Sequence, residues 1–435
     1  MNNEVSLHVF AVMPDGEIVR VGRLLSRNLR SSSAKEGFFR YDEGYLDRGD
    51  AYALDPRHLP LTDRAEIHSA ARGEAGVHAV FEDSLPDAWG RTILAKRARL
   101  DKTRFAPAHL LEALGGGGLG RLLYFQTERL TRARSEDGSI EFDKIRAVLE
   151  EAGKLEKDID TKNRVLQHLL ACGSSAGGAR PKILTLHDGR PWLAKFSSIR
   201  DLHPSLFVSL EQAGMELAKR AGLHVPEVRR VSVSGRELLM VERFDVTKGG
   251  GRNALVSMKT LTGQEDPYLA SYSDMATVIR ELSVQPEVDL ELLFRWMAVN
   301  ILVQNTDDHL QNFSMLHTRE GWELSPAYDI TPNIYQRDHI LRINGKDEAL
   351  SYDDIVAEGK RFGFSLQKSR KQFAEAYEAV ALWENVFDAC GVPPEHTQEL
   401  RKSIAEKRRI FAPGRQGARA AKERTGKTRT ASDIL

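Results

Sequence analysis

The sequence predicts an α+β protein in which strands dominate the N-terminal part and helices the C-terminal part. Three observations carry that expectation. Residues 5–12 and 18–24 are β-rich runs joined through Pro14-Asp15-Gly16, a hairpin signature. Residues 183–186 and 192–196 form a second such pair, turned at His187-Asp188-Gly189-Arg190. Further on, residues 290–303 read as a long apolar helix at the heart of the C-terminal part, and 373–389 and 396–411 as amphipathic helices separated by Gly391-Val392-Pro393-Pro394.

Size and composition bound the rest. With 435 residues and 48.7 kDa, the chain can bury a large core and should form two or three domains or lobes. Its 41% hydrophobic and 29% charged residues are ordinary for a soluble globular protein. The 62 basic and 62 acidic residues cancel, so no global field draws nucleic acid or a membrane surface. Two cysteines, Cys172 and Cys390, exclude a disulfide framework and a Cys-rich zinc site. No apolar run approaches the ~20 residues of a membrane span, and the start of the chain lacks a signal-peptide pattern. A reducing cytoplasm is the expected location, with no membrane partner.

The elements follow in order. Phe38, Phe39, Tyr41 and Tyr45 suggest further strands after the first hairpin. Pro86 and Asp87 fit a helix start, with Trp89, Ile93 and Leu94 as its buried stripe. The run Gly115-Gly116-Gly117-Gly118-Leu119-Gly120 lacks the Lys-Ser or Lys-Thr of a P-loop and reads instead as a turn leading into the strand 121–125. Residues 140–173 read as charged helix. There the composition changes abruptly to Gly173-Ser174-Ser175-Ala176-Gly177-Gly178-Ala179-Arg180-Pro181-Lys182. Small residues let a backbone approach phosphates, and successive amides form an anion nest to which Arg180 and Lys182 would add charge. On that segment alone, a flexible linker is an equal reading.

Lys195 lies in the apolar strand that follows, where a kinase keeps its phosphate-pairing lysine. Within the helix predicted over 206–221, Glu211 or Glu216 could pair with it. Residues 237–245 suit a hinge whose backbone groups meet adenine. The sharpest motif is Asn305-Thr306-Asp307-Asp308-His309-Leu310-Gln311-Asn312, followed by Tyr328-Asp329. A kinase-type site needs a carboxylate for the attacking hydroxyl, an amide oxygen for magnesium and a second carboxylate between metal and phosphates. Asp307, Asn312 and Asp329 supply these in that order, although Asn305-Thr306 stands where protein kinases carry His-Arg. Taken singly, the segment fits a solvated loop as well.

Five short motifs in the right order resemble one family, the HipA-type serine/threonine kinases, toxin components of bacterial type II toxin–antitoxin pairs. They are Ser84-Leu85-Pro86-Asp87-Ala88-Trp89-Gly90, the 173–182 loop, Val241-Glu242-Arg243-Phe244-Asp245, the 306–314 loop and Ser325-Pro326-Ala327-Tyr328-Asp329. The resemblance implies a two-lobed protein-kinase-like fold with a mainly β N-terminal part, an extra subdomain and an all-helical C-terminal lobe. Its implied divisions are 1–125 (family-specific subdomain), 126–250 (kinase N-lobe with phosphate loop and hinge), 251–413 (helical C-lobe) and 414–435, a basic tail without hydrophobic periodicity.

The resemblance also assigns roles. Asp307 would be the catalytic aspartate, and Asn312 and Asp329 would bind Mg2+. Lys195, Ser175, Ala176, Gly177, Gly178, Glu242, Phe244 and His309 would contact ATP. By its own chemistry His309 reads as a structural residue behind the loop, since magnesium prefers oxygen ligands. Ser174, or Ser175 beside it, would be autophosphorylated and silence the enzyme. Ala179-Arg180-Pro181 departs from the Gln-Glu-Lys of better-known members. Implied partners are a small helix-turn-helix antitoxin of HipB type, DNA only through that antitoxin, and a protein substrate for which family precedent points to an aminoacyl-tRNA synthetase. Two alternatives stay open: a catalytically weak antitoxin-binding corepressor, and a small-molecule kinase, which would leave the N-terminal module unexplained.

Overall fold

In a computed structural model of the chain, the described residues are 4–28, 35–62, 68–69, 76–100, 106–128, 139–147, 149, 182–197 and 203–413. The first hairpin forms as its pattern dictates, from β1 (Val5–Val12) and β2 (Ile18–Asn28), with a bulge between Val9 and Phe10. Strand β3 (Lys35–Tyr41), the short β4 (His68–Ser69) and β5 (Leu122–Phe125) complete an antiparallel sheet of order β4-β3-β2-β1-β5. Phe38, Phe39 and Tyr41 are strand residues, but Tyr45 is not. It sits in helix α1 (Glu43–Leu46), because Asp42 caps that turn by accepting the Gly44 amide. Helix α4 (Pro107–Leu114) packs on β1 and β5, and α2 (Ala79–Glu82) and α3 (Ala88–Arg97) pack against α4. As the sequence suggests, Asp87 is the N-cap of α3, and Leu94 is buried.

The glycine run is the turn from α4 to β5. Its carbonyls face cations: Gly116 and Gly120 accept from the buried Arg252 and Gly118 accepts from Arg243, while the Gly120 amide donates to Asp245. A loop that wraps its carbonyls around guanidinium groups is no phosphate cradle.

The second sheet has the order β6-β7-β8-β10-β9. Strand β6 is Ile140–Glu141, β7 Lys182–His187, β8 Arg190–Phe196, β9 Val228–Val233 and β10 Arg236–Glu242. The β7–β8 turn holds Asp188 at φ 52° and Gly189 at φ 70°, the left-handed pair that a two-residue hairpin with native twist requires. Residues 140–144, read from sequence as helix, instead form β6, parallel to β7, and one 3-10 turn. Strand pairing with a distant segment overrode the local helical preference there. Helix α5 (Leu206–Arg220) packs on this sheet and closes at Gly222, φ 79°.

The remainder is built on helices α6 (Met258–Thr262), α7 (Tyr272–Leu282), α8 (Pro286–Val303), α9 (Tyr352–Arg361), α10 (Leu366–Ala379), α11 (Trp383–Ala389) and α12 (Pro394–Ile410). From Trp296 onward helix α8 is buried on all sides, and it packs against α5, α7, α10 and α12, which explains its apolar composition. The region is not helical throughout. Strands β11 (Ala254–Ser257), β12 (Ser314–His317) and β13 (Trp322–Leu324) form a small antiparallel sheet. Phe313 and Met315 are core residues. None of the described helices is long and apolar enough to cross a membrane.

Buried polar contacts join residues 52–121 to residues 243–317. Asp83 accepts from the Ser257 amide and hydroxyl, both at 2.8 Å, and burial pushes its carboxyl up to about 6. Arg243 and Asp245 form a fully enclosed ion pair at 2.7 Å, and Asp245 also accepts the Gly120 amide. Arg121 stacks on Tyr52 and donates to the Arg252 and His317 carbonyls.

Candidate active site

Three titratable side chains from three segments converge beside the second sheet. Lys195, inside β8, places its Nζ 2.5 Å from Glu211 on α5 and 2.7 Å from Asp329. Burial alone would lower the Lys195 ammonium, but the Asp329 and Glu211 carboxylates beside it outweigh that and push it up. Burial likewise opposes ionisation of Asp329, yet Lys195 and Lys182 hold its carboxyl well below the usual range. Glu211 is the group left raised, since burial outweighs what Lys195 returns to it. One lysine serves two carboxylates, and Asp329 has the stronger claim on it.

The competing candidate is settled by helix phase. Glu216 faces outward and pairs with Arg220 one turn on, at 2.9 Å. Glu211 lies on the face that also carries Gly214, where α5 touches the segment after Asp329. A Cβ on Gly214 would meet the Ile330 carbonyl at 2.0 Å, so only glycine lets the helix bring Glu211 this close. Asp329 itself holds φ 56°, a left-handed conformation that aims its carboxylate back at Lys195. Gly214 went unnoticed in the sequence. The signal, a lone glycine one turn beyond Glu211 on the apolar face, was present.

The loop carrying Asp307 begins where α8 ends on Gln304, left-handed at φ 60°. It is pinned along its length. Gln304 exchanges hydrogen bonds with the Asn333 backbone, and the Thr306 hydroxyl donates to Gln336 O at 3.0 Å. Asp308, fully buried, is met by Tyr272 Oη at 2.8 Å, His339 Nδ1 at 2.9 Å and the Ile340 and Leu341 amides at 2.9 and 3.4 Å. The neighbouring aspartate is therefore the structural anchor, which the motif alone did not reveal. Asn312 donates its side-chain nitrogen to Asp307 O at 2.7 Å, turning its amide oxygen the other way.

His309 Nε2 stands 3.8 Å from Asp307 Oδ1, and burial lowers the ring's pKa so that it stays neutral. Its Nδ1 is enclosed without a hydrogen-bond partner among the described residues. A neutral ring packed inside the loop agrees with a structural role.

Glu242 ends β10 with its carboxylate engaged by Arg190, whose Nε lies 2.9 Å from Oε1. Phe244 is half-buried and lies over Tyr328, ring centroids 5.8 Å apart, so the hinge touches the segment leading into Asp329. Ser174, Ser175, Ala176, Gly177, Gly178 and Arg180 lie outside the described residues, as do Cys172 and the basic tail.

Asn312 and Asp329 each carry side-chain oxygen, the kind of ligand that magnesium demands. With Lys195 held by a helix carboxylate, this is the arrangement of a kinase-type fold. Comparison with known proteins gives the family. Residues 174–405 match the family model of the HipA-like C-terminal domain and residues 18–125 that of the HipA N-terminal domain, so the chain belongs to the HipA family.

Among individual proteins, it is 25% identical over 341 residues to Y4mE of Sinorhizobium fredii, a protein named for a proposed kinase activity. That match spans 72% of this chain and 76% of the relative. It is 26% identical over 177 residues to the toxin YjjJ of Escherichia coli, spanning 38% of this chain and 39% of the relative. HipA of Shewanella oneidensis MR-1, solved with HipB and operator DNA, shares the fold with a TM-score of 0.66 at 17% identity, covering 93% of this chain and 96% of that one.

Proposed function

We propose that the chain is an ATP- and Mg2+-dependent serine/threonine protein kinase acting as a growth-inhibiting toxin, neutralised by a small DNA-binding antitoxin. The observation that carries the kinase reading is Lys195 held between Glu211 and Asp329, beside the pinned 305–312 loop. The toxin context rests on family membership and on what the named relatives are called.

In this reading Asn312 and Asp329 hold the metal, which when bound neutralises charge on the phosphates. Lys195, oriented by Glu211, and Lys182 face the phosphate oxygens. Asp307 orients the acceptor hydroxyl and takes its proton as the serine oxygen bonds to the γ-phosphorus and the bond to the ADP oxygen breaks. The backbone around Glu242 and Phe244 meets the base. The substrate is a protein serine, and the family resemblance points to an aminoacyl-tRNA synthetase.

Ser174 or Ser175 is the expected autophosphorylation site. A phosphate of about −2 charge in that loop would occupy the place of the nucleotide phosphates. Incubating the purified chain with magnesium and ATP, then mapping phosphate by mass spectrometry, tests the reading. Phosphoserine in the 173–182 loop, absent from an Asp307→Ala control, is the expected outcome. A chain that transfers no phosphate to itself or to bacterial lysate protein would contradict it.

A further inference from the structure

We infer that Asp87, in the N-terminal domain, is a positioning residue for the nucleotide phosphates, acting through Lys182. The inference rests on the kinase reading above and extends the site into a domain that reading leaves unused.

Lys182 is the register partner of Lys195 in the β7–β8 ladder. Directly opposed residues of an antiparallel pair project to the same face, with Cβ atoms about 5 Å apart. The two lysines therefore stand side by side, and the charge of Lys182 acts on Asp329, Glu211 and His309. Lys195 has its partners inside the cleft. Lys182 has its partner elsewhere: its Nζ lies 3.0 Å from Asp87 Oδ2.

That carboxylate is held firmly. Asp87 Oδ1 accepts the Gly90 amide at 3.1 Å as the N-cap of α3, while Oδ2 is shielded from solvent and accepts no hydrogen bond among the described residues, so its link to Lys182 is one of charge. Gly90 in turn lies flat on Pro86, where a Cβ would come within 2.4 Å of the proline ring. The segment leading to Asp87 is tied down as well, through Asp83 to Ser257 and through Ser84 to the Tyr124 hydroxyl at 2.7 Å.

A rigid carboxylate beside a long, flexible lysine sets where the lysine's charge is held. Asp87 does for Lys182 what Glu211 does for Lys195. Capping needs only one oxygen of Asp87 and no charge, because asparagine and serine cap helices about as well as aspartate. The second oxygen, turned to Lys182, is the part that capping leaves unexplained.

That distinction supplies the test. Calorimetry with MgATP is performed on the intact wild-type chain, Asp87→Asn, Lys182→Met and the double variant. Asp87→Asn keeps the cap and the melting temperature but weakens MgATP binding roughly five- to tenfold, within the range of coupled charged neighbours. In the Lys182→Met background the same change has no further effect. Asp87→Ser, a second neutral residue able to cap, gives the same result. Wild-type affinity in Asp87→Asn and Asp87→Ser, or effects that multiply independently of Lys182, would overturn the inference alone. A wild-type chain that binds no MgATP overturns the kinase reading, and this inference with it.

Discussion

Asp307→Ala is expected to slow phosphoryl transfer by ~10²–10⁴-fold while leaving MgATP affinity close to wild type. The loop explains the separation. The position of Asp307 is set by backbone bonds and by Asp308, which the Tyr272, His339, Ile340 and Leu341 donors hold in place. Removing the Asp307 side chain deletes a proton acceptor without releasing the loop. Asn312 and Asp329, assigned to the metal, are untouched. Single-turnover transfer measured beside calorimetric affinity checks both halves. Transfer at the wild-type rate would remove Asp307 from the chemistry, and in cells the same substitution should relieve any growth arrest caused by overproduction.

Lys195→Met should have the second large effect, and a compound one. The side chains of Lys195 and Glu211 are 14% and 10% exposed, so the substitution leaves two carboxylates facing each other in a largely enclosed site. Breaking a buried pair by removing one partner costs about 3–5 kcal/mol. Burial already raises the Glu211 pKa and loss of Lys195 raises it further, so Glu211 should take up a proton more readily in the variant and recover part of that loss as pH falls. Adding Glu211→Gln to Lys195→Met should restore stability further, yet restore no transfer, because the phosphate-facing charge remains absent. Thermal denaturation across pH, read beside transfer rates, separates the two roles. Full activity in the double variant would assign Lys195 to folding alone.

Much of the architecture could be read from local pattern. Both hairpins announced themselves through turn residues: Asp188 and Gly189 adopt the left-handed conformations that their types favour. Helix α8 followed from its unbroken apolar run, and α5 from its apolar spacing and closing Gly222. Glu211, a partner expected for Lys195, does contact it, whereas the contact of Lys195 with Asp329 was not foreseen from the sequence.

The misreadings have physical causes. Tyr45 was assigned by aromatic content, whereas the Asp42 cap two residues before Gly44 decides its turn. Residues 140–141 became a strand because β7 offered a parallel edge, a contact that no local window contains. The small sheet of the helical region needs β11, which pairs with the distant β12 of the β12–β13 hairpin. Glu211 and Glu216 were not separated, although five positions on a helix place them on opposed faces and Gly214 marks the one that is approached. The pairing of Asp87 with Lys182 joins two motifs of the sequence that nothing local connects.

The central claim is that the cleft between Lys195 and the 305–312 loop binds the triphosphate of ATP through magnesium. Calorimetric titration of the intact chain with ATP, with and without the metal, tests it most directly. The account predicts saturable binding that weakens sharply when magnesium is withheld or when Asn312 is changed to alanine. ATP binding indifferent to both would contradict it.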